Sequence, residues 1–235
     1  MSSVTAVIPV YNDVNALRRA IPESVEALAA FGRPFELIIA EDESTDGTRA
    51  VAEEWEKKDP RVRLLHSDKR QGRGTALNRA LAIAKGDIFR YYDVDLATSL
   101  THLPELLSRI ENGADVVTGS RLLKDSSITR SAKRECTSRG FNFLVRTLLK
   151  SDLSDHQCGF KAYKTEVLRE LVKEIQAPHW FWDTESLVLA ERKGLRVEEF
   201  PVQWTEGVGT TVKVKDVFSM GNDILRLRKR LKNRE

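Results

Sequence analysis

Asp93 and Asp95 stand one residue apart, with Val94 between them, where the apolar and aromatic run 88–92 stops. Side chains spaced by two along a strand point the same way, and two such carboxylates can share one hard divalent cation. Taken alone, Asp-x-Asp is more often a solvated loop than a metal site, so its neighbours decide. Gly72-Arg73-Gly74 offers backbone N–H groups and one guanidinium to a diphosphate. It does not fit the dinucleotide fingerprint, which disfavours an NAD site. Asp13 or Asp42 can accept from a base N–H or a ribose hydroxyl, and Tyr11 offers a ring face. Helix capping competes at Asp13 and Asp46; Asp46 is assigned to capping and Asp42 to function.

Further along, Arg130, Lys133, Arg134 and Arg139 run into Phe141, Phe143, Leu144 and Leu148. Cationic groups beside an apolar face suit a phosphate on a greasy chain, and they suit an amphipathic helix with a wet basic side equally well. Trp180, Phe181 and Trp182 precede Asp183 and Glu185. Aromatic faces and carboxylates of this kind make a sugar platform, or else a core segment with acids at a helix N-terminus.

These residues need a scaffold that gathers loop tips. Strands are expected at 4–10, 37–40, 63–66, 88–92, 115–118 and 195–201, with a short one beginning within 155–161. Helices alternate with them, the first carrying Val14, Leu17, Ile21, Val25 and Leu28 at helical spacing with Asn12 or Asp13 as cap, and further ones open at Gly72 and Trp180. Trp204 and a loop at 207–209 follow the last strand. Alternation of this kind predicts an α/β fold with a mostly parallel sheet, whose ligand site lies beyond the strands' carboxyl ends.

The 235 residues, 41% hydrophobic and 31% charged, suit one soluble domain. No run reaches the ~18–20 apolar residues of a membrane span, and no signal-peptide core opens the chain, so a cytoplasmic location is expected. Cys136 and Cys158 are too far apart for a CxxC site and read as ordinary thiols. Net charge is only +3, but the tail 215–234 mixes Val217, Phe218, Met220, Ile224, Leu227 and Leu231 with many Lys and Arg. Such a helix can lie on an anionic membrane or pack on the domain with its basic side in water. Nucleic acid is disfavoured, because no aromatic-studded basic strand accompanies the charge.

The order of four motifs resembles the inverting family 2 glycosyltransferases of the GT-A (Rossmann-like) fold. They are Val7-Ile8-Pro9-Val10-Tyr11-Asn12, Glu41-Asp42-Glu43-Ser44-Thr45-Asp46-Gly47-Thr48, Gly72-Arg73-Gly74 with Asn78, and Asp93-Val94-Asp95-Leu96. The resemblance implies a nucleotide-sugar donor, with Pro9, Tyr11, Asn12, Asp13 and Asp42 near the nucleoside and Asp93 and Asp95 on Mg²⁺ or Mn²⁺. Ala97 stands where the family often has Gln, which removes a possible third ligand. Gln157-Cys158-Gly159-Phe160-Lys161, Asp183 with Glu185, and Glu199-Phe200-Pro201-Val202-Gln203-Trp204 look like the dolichyl-phosphate β-glucosyltransferase branch, close to the dolichyl-phosphate mannose synthases. Carried over, Arg121, Arg134 and Ser138 would touch phosphates, beside Arg139 and Trp182, and Asp183 and Glu185 would line the acceptor side.

One domain over 1–235 is therefore expected, with a nucleotide-sugar half (1–98), an acceptor half (99–212) and a basic C-terminal helix (213–235). The expected reaction moves a hexose from a UDP-sugar to a polyprenyl or dolichyl phosphate by in-line displacement. The metal on Asp93 and Asp95, with Arg73 and Arg121, would stabilise the leaving diphosphate. A phosphate acceptor needs no base, whereas a hydroxyl acceptor would need Asp183. A GDP-mannose donor, a sugar nucleotidyltransferase and a non-catalytic nucleotide-binding module remain alternatives, and oligomeric state is not legible.

Overall fold

The computed structural model describes residues 2–206 and 214–233. In chain order it runs β1 (Val4–Val10), α1 (Val14–Ala29), β2 (Phe35–Glu41), α2 (Thr48–Lys58), β3 (Val62–Leu65), α3 (Arg73–Ile83) and β4 (Ile88–Tyr92). After the 3₁₀ turn Leu100–His102 come α4 (Leu103–Glu111), β5 (Val116–Ser120), β6 (Ser127–Thr129) and α5 (Ala132–Leu149). The remainder is β7 (Phe160–Lys164), α6 (Thr165–Leu171), α7 (Phe181–Arg192), β8 (Val197–Pro201), β9 (Gln203–Thr205) and α8 (Val214–Lys232).

Seven strands form one sheet in the order β3-β2-β1-β4-β7-β5-β8. The apolar character of β1, broken only by the buried Thr5, follows from its place inside the sheet, buried on both faces. One apolar layer packs α1, α2 and α4 on one side, and the other packs α3, α5, α7 and α8 on the opposite side. All pairings are parallel except those of β7, which runs antiparallel to both β4 and β5. Its reversal brings the start of β7 to the edge where β1, β2 and β4 end, so the loop before β7 joins the loops that follow the parallel strands.

Several expected boundaries shift. The third strand begins at Val62 and ends before His66, and 155–159 is loop rather than strand. Trp204 does not follow the last strand; it lies in β9, which pairs in parallel with β6 as a separate ribbon. The loop 207–209 lies outside the described residues.

Candidate active site

Asp93 and Asp95 lie in the turn just past β4, closed by Leu96 N–H donating to the Asp93 carbonyl at 3.1 Å. This corrects the expectation that strand alternation aligns them: both lie past the strand, in a turn that holds Leu96 at φ +52°. Left-handed backbone at a residue with a Cβ costs on the order of 1–2 kcal/mol, and such strain gathers at functional sites. Asn12, after β1, and Glu43, after β2, repeat it at φ +48° and +65° along the same edge. The Asp95 carboxylate accepts from Ala97 N–H at 3.0 Å, and its carbonyl accepts from Arg19.

Register explains what faces Asp93. Tyr92 pairs with Phe160, so the next step outward sets Asp93 against Gly159. A Cβ there would overlap the Asp93 carboxylate, so only glycine leaves it room. Burial, and then the charge of Asp93, push the Asp95 carboxyl above its ordinary pKa. Two mutually repelling carboxylates in a roomy turn are a donor set that fits a hard divalent cation. Among the described residues no third His, Cys, Asp or Glu joins them.

Behind the turn runs a chain of alternating charges. Arg73, in the first turn of α3, donates to Asp93 Oδ1 through Nε (3.2 Å) and Nη2 (2.8 Å), and its Nη1 pairs with Asp183. The guanidinium is only 9% exposed and lies 5.1 Å from the Tyr91 ring and 5.5 Å from Trp180. Asp183 also accepts from Tyr91 Oη at 2.5 Å and from the fully buried Lys161 Nζ at 2.8 Å. Burial would raise the Asp183 carboxyl, but Arg73 and Lys161 outweigh it and hold it below its ordinary pKa. The same two aspartates, against the pull of burial, hold Arg73 firmly protonated. Tyr91 and Lys161 meet at Asp183 because they are opposite one another in the β4–β7 ladder, on one face.

At the rim beside β1 and β2, Tyr11 is exposed, with Arg70 stacked 3.8 Å from its ring centroid. Asn12 joins the two loops, donating N–H to Ser44 Oγ (2.9 Å) and accepting from Thr45 N–H (2.7 Å). Asp13 caps α1 by accepting from Ala16 N–H at 3.2 Å. Asp46 stands one residue before the Gly47 cap, where its carboxylate accepts from Thr48 and Val14 N–H, both at 3.0 Å. Asp42 departs from expectation: it is buried and accepts from Gln71 N–H (3.0 Å) and Gly72 N–H (2.8 Å), anchoring the turn that presents Arg73. Gly72 itself has φ +98°, and the His179 ring fills the place a Cβ would take. Pro9 is buried in β1, and Val94 is half-buried between the acids.

The sequence signature of glycosyl transferase family 2 matches residues 5–172. The chain belongs to glycosyl transferase family 2. It is 46% identical over 227 residues to glycosyltransferase AglD of Haloferax volcanii, covering 95% of this chain but spanning only 36% of that relative's length. The dolichyl-phosphate beta-glucosyltransferase of Dictyostelium discoideum is 30% identical over 243 residues, with 96% of this chain and 73% of the relative covered. Glucosyl-3-phosphoglycerate synthase from Mycobacterium tuberculosis, solved with Mn²⁺, UDP and glucosyl-3-phosphoglycerate, superposes with a TM-score of 0.67 at 19% identity, over 95% of this chain and 77% of that one. That likeness establishes the GT-A fold. A complex of the same enzyme with Mg²⁺ and UDP superposes with a TM-score of 0.68 at 18% identity, over 95% and 77% of the two chains.

In this family 2 domain the residues assigned to the acceptor side separate. Trp182 and Phe181 form no sugar platform: both are buried, Trp182 sitting edge-on to Tyr91 and Tyr163 and donating Nε1–H to Asn78 at 2.9 Å. Both side chains point into the core layer from the first turn of α7, leaving Trp180 alone half-exposed beside Arg73. Glu185 turns inward too, accepting from Gln176 N–H (3.1 Å) and Ala177 N–H (2.8 Å) and pairing with Arg230 of α8. Arg121 forks onto the buried Asp155 at 2.7 and 2.9 Å rather than standing open for phosphate. Against burial, that fork drives the Asp155 carboxyl far below its ordinary range. On α5, Arg134 pairs with Glu206 at 2.7 Å, Arg139 pairs with Glu135, and the Ser138 hydroxyl is buried.

Lys161, Tyr91, Asp155 and His156 escaped the reading of the sequence as site residues. His156 is buried between Ser151 Oγ (2.7 Å from Nε2) and Asn142 Oδ1 (2.8 Å from Nδ1). The signal for Lys161 was present: a lysine two residues after Gly159, in a segment otherwise apolar enough to be a strand, must find a buried counter-charge.

Proposed function

We propose that the protein transfers a hexose, with UDP-glucose as the favoured donor, to the phosphate of a polyprenyl or dolichyl lipid. The observation that carries the reading is the Asp93–Asp95 turn, given room by Gly159 opposite it, with Arg73 paired to Asp93 behind it. Relatives named dolichyl-phosphate beta-glucosyltransferases and a fold neighbour solved with UDP and Mn²⁺ support the same donor and acceptor classes.

Asp93 and Asp95 would hold a divalent cation, which when bound supplies neutralising charge for a leaving diphosphate. Tyr11, Asn12 and Asp13 line the rim where a nucleoside would lie, and Val94 packs between the acids. Asp183 orients Arg73. As an ionised group with Tyr91, Lys161 and Arg73 all donating to it, it is a poor proton acceptor. A phosphate acceptor, with a second pKa of about 6, arrives already ionised and asks for no base. The lipid part of the reading rests on α5 and α8, where Phe143, Leu144 and Leu225 are 67%, 45% and 55% exposed among exposed Arg139, Arg146, Lys150 and Arg226. Contact with an anionic membrane surface would cover those side chains.

Incubation with Mn²⁺, labelled sugar nucleotides and polyprenyl phosphate tests this. Label from UDP-glucose should enter the organic phase. Label that moves only from GDP-mannose would replace the donor, and no transfer from any sugar nucleotide would end the proposal.

A further inference from the structure

We propose that Arg73 holds the cation's place on Asp93, and that its transfer from Asp93 to the donor's diphosphate couples cation entry to nucleotide binding. The inference rests on the metal and diphosphate reading above and adds a positioning role for Lys161 and Tyr91. Arg73 Nε and Nη2 both reach the single oxygen Oδ1 of Asp93, at 3.2 and 2.8 Å. A guanidinium there, itself only 9% exposed, and a divalent cation on the same carboxylate would repel. Cation entry therefore has to push the guanidinium aside.

The other end of Arg73 shows where it can go. Nη1 is held by Asp183, and the planar group lies between Tyr91 and Trp180, a slot in which it can turn about the Asp183 contact. A diphosphate on the cation would meet the freed donors of that fork, the partner geometry a guanidinium favours. Asp183 cannot follow, because Tyr91 Oη and Lys161 Nζ fix it from the sheet side. Lys161 is itself immobilised, donating also to the carbonyls of Cys158 (2.5 Å) and His156 (3.3 Å). A fully buried lysine at this point has a reason to exist: it keeps Asp183 from becoming an uncompensated buried charge when Arg73 turns away.

The arrangement predicts effects of opposite sign from one substitution. In calorimetric titrations, Arg73→Met should bind Mn²⁺ alone about ten-fold more tightly than the wild type, because the competing cation is gone. With Mn²⁺ present it should bind UDP about ten-fold more weakly, because the diphosphate has lost its fork. A merely structural arginine would weaken both. Arg73→Lys, which keeps charge but cannot fork, should shift both in the same directions by less, and it carries the test should Arg73→Met fail to fold in a thermal melt. Wild-type binding of Mn²⁺ and UDP with unchanged Mn²⁺ affinity in the variants overturns the inference and leaves the functional reading standing. Failure of the wild type to bind either ligand overturns both.

Discussion

Asp183 had two readings, proton acceptor for a hydroxyl or bystander to an ionised phosphate; its three donors speak against the first and replace the second with a positioning role. It is the hinge between a buried lysine and a half-caged arginine. Loss of activity in Asp183→Asn thus cannot by itself identify a base, because the substitution also strands Lys161 without a counter-charge. Breaking a buried pair from one side costs roughly 3–5 kcal/mol. We expect Asp183→Asn to lose about that much in urea unfolding, and Lys161→Met added to it to restore part of the loss. An Asp183→Asn protein as stable as the wild type would show that the lysine does not need the carboxylate. Asp183 was found in the sequence because an acid directly after Trp-Phe-Trp is conspicuous, whereas Glu185 and Trp182 were misplaced for a helical reason. On α7 the first turn is buried all round, so neither the acid nor the indole has a wet side to present.

The loop 150–159 between α5 and β7 organises more of the site than any other connection, since it supplies Asp155 to Arg121, Gly159 to Asp93 and the carbonyls that fix Lys161. His156 locks it to α5. Burial is the main cause that pushes its imidazole down to about 4, with Asp155 opposing and Lys161 and Arg146 assisting. A His lowered in the folded state stays neutral while the unfolded chain, with an ordinary pKa near 6.5, takes up a proton. The folded state should then lose stability as pH falls from about 6.5 to about 4, by up to ~1.4 kcal/mol per pH unit. Glu191, linked through Ser151 and raised by burial, works in the opposite direction, so the measurement is a difference. Between those limits wild type should fall more steeply than His156→Gln, and parallel pH profiles would refute the assignment. This loop also marks where the sequence stopped being legible. The parallel strands and the helix start at Asp13 were readable, since apolar runs and caps are local signals. The β6–β9 ribbon alternates polar and apolar, but at three residues a side it is too short for that period to be read. The antiparallel sense of β7 is likewise a long-range fact, and on it depend both the Gly159 gap and the meeting of Tyr91 with Lys161.

Across the molecule, the catalytic edge and the exposed apolar side chains lie on elements joined by that same loop, since α5 leads directly into it. The helix α5 carries Lys133, Arg134, Arg139 and Arg146, with Lys150 at its C-cap, against the lone acid Glu135, and no helix among the described residues is long and apolar enough to cross a membrane. Of the two arrangements open to the C-terminal helix, the described part packs on the domain, burying Ile224, Leu227 and Leu231 in the core and leaving Leu225 and Arg226 outward. If the acceptor is a lipid phosphate, its apolar chain must approach along a surface that tolerates both headgroup charge and acyl chains, and α5 is the face built for it. Each fully buried Phe or Leu is worth about 1.5–3 kcal/mol, so Phe143→Ser with Leu144→Ser should weaken sedimentation with anionic vesicles by at least roughly ten-fold. Wild-type binding should fall as salt rises, because the basic residues act through a screened field. Turnover of a short, water-soluble polyprenyl phosphate should stay unchanged in the double variant, since neither side chain reaches the acid turn. Equal binding of wild type and variant, or equal binding to neutral and anionic vesicles, would move the lipid's approach to another face.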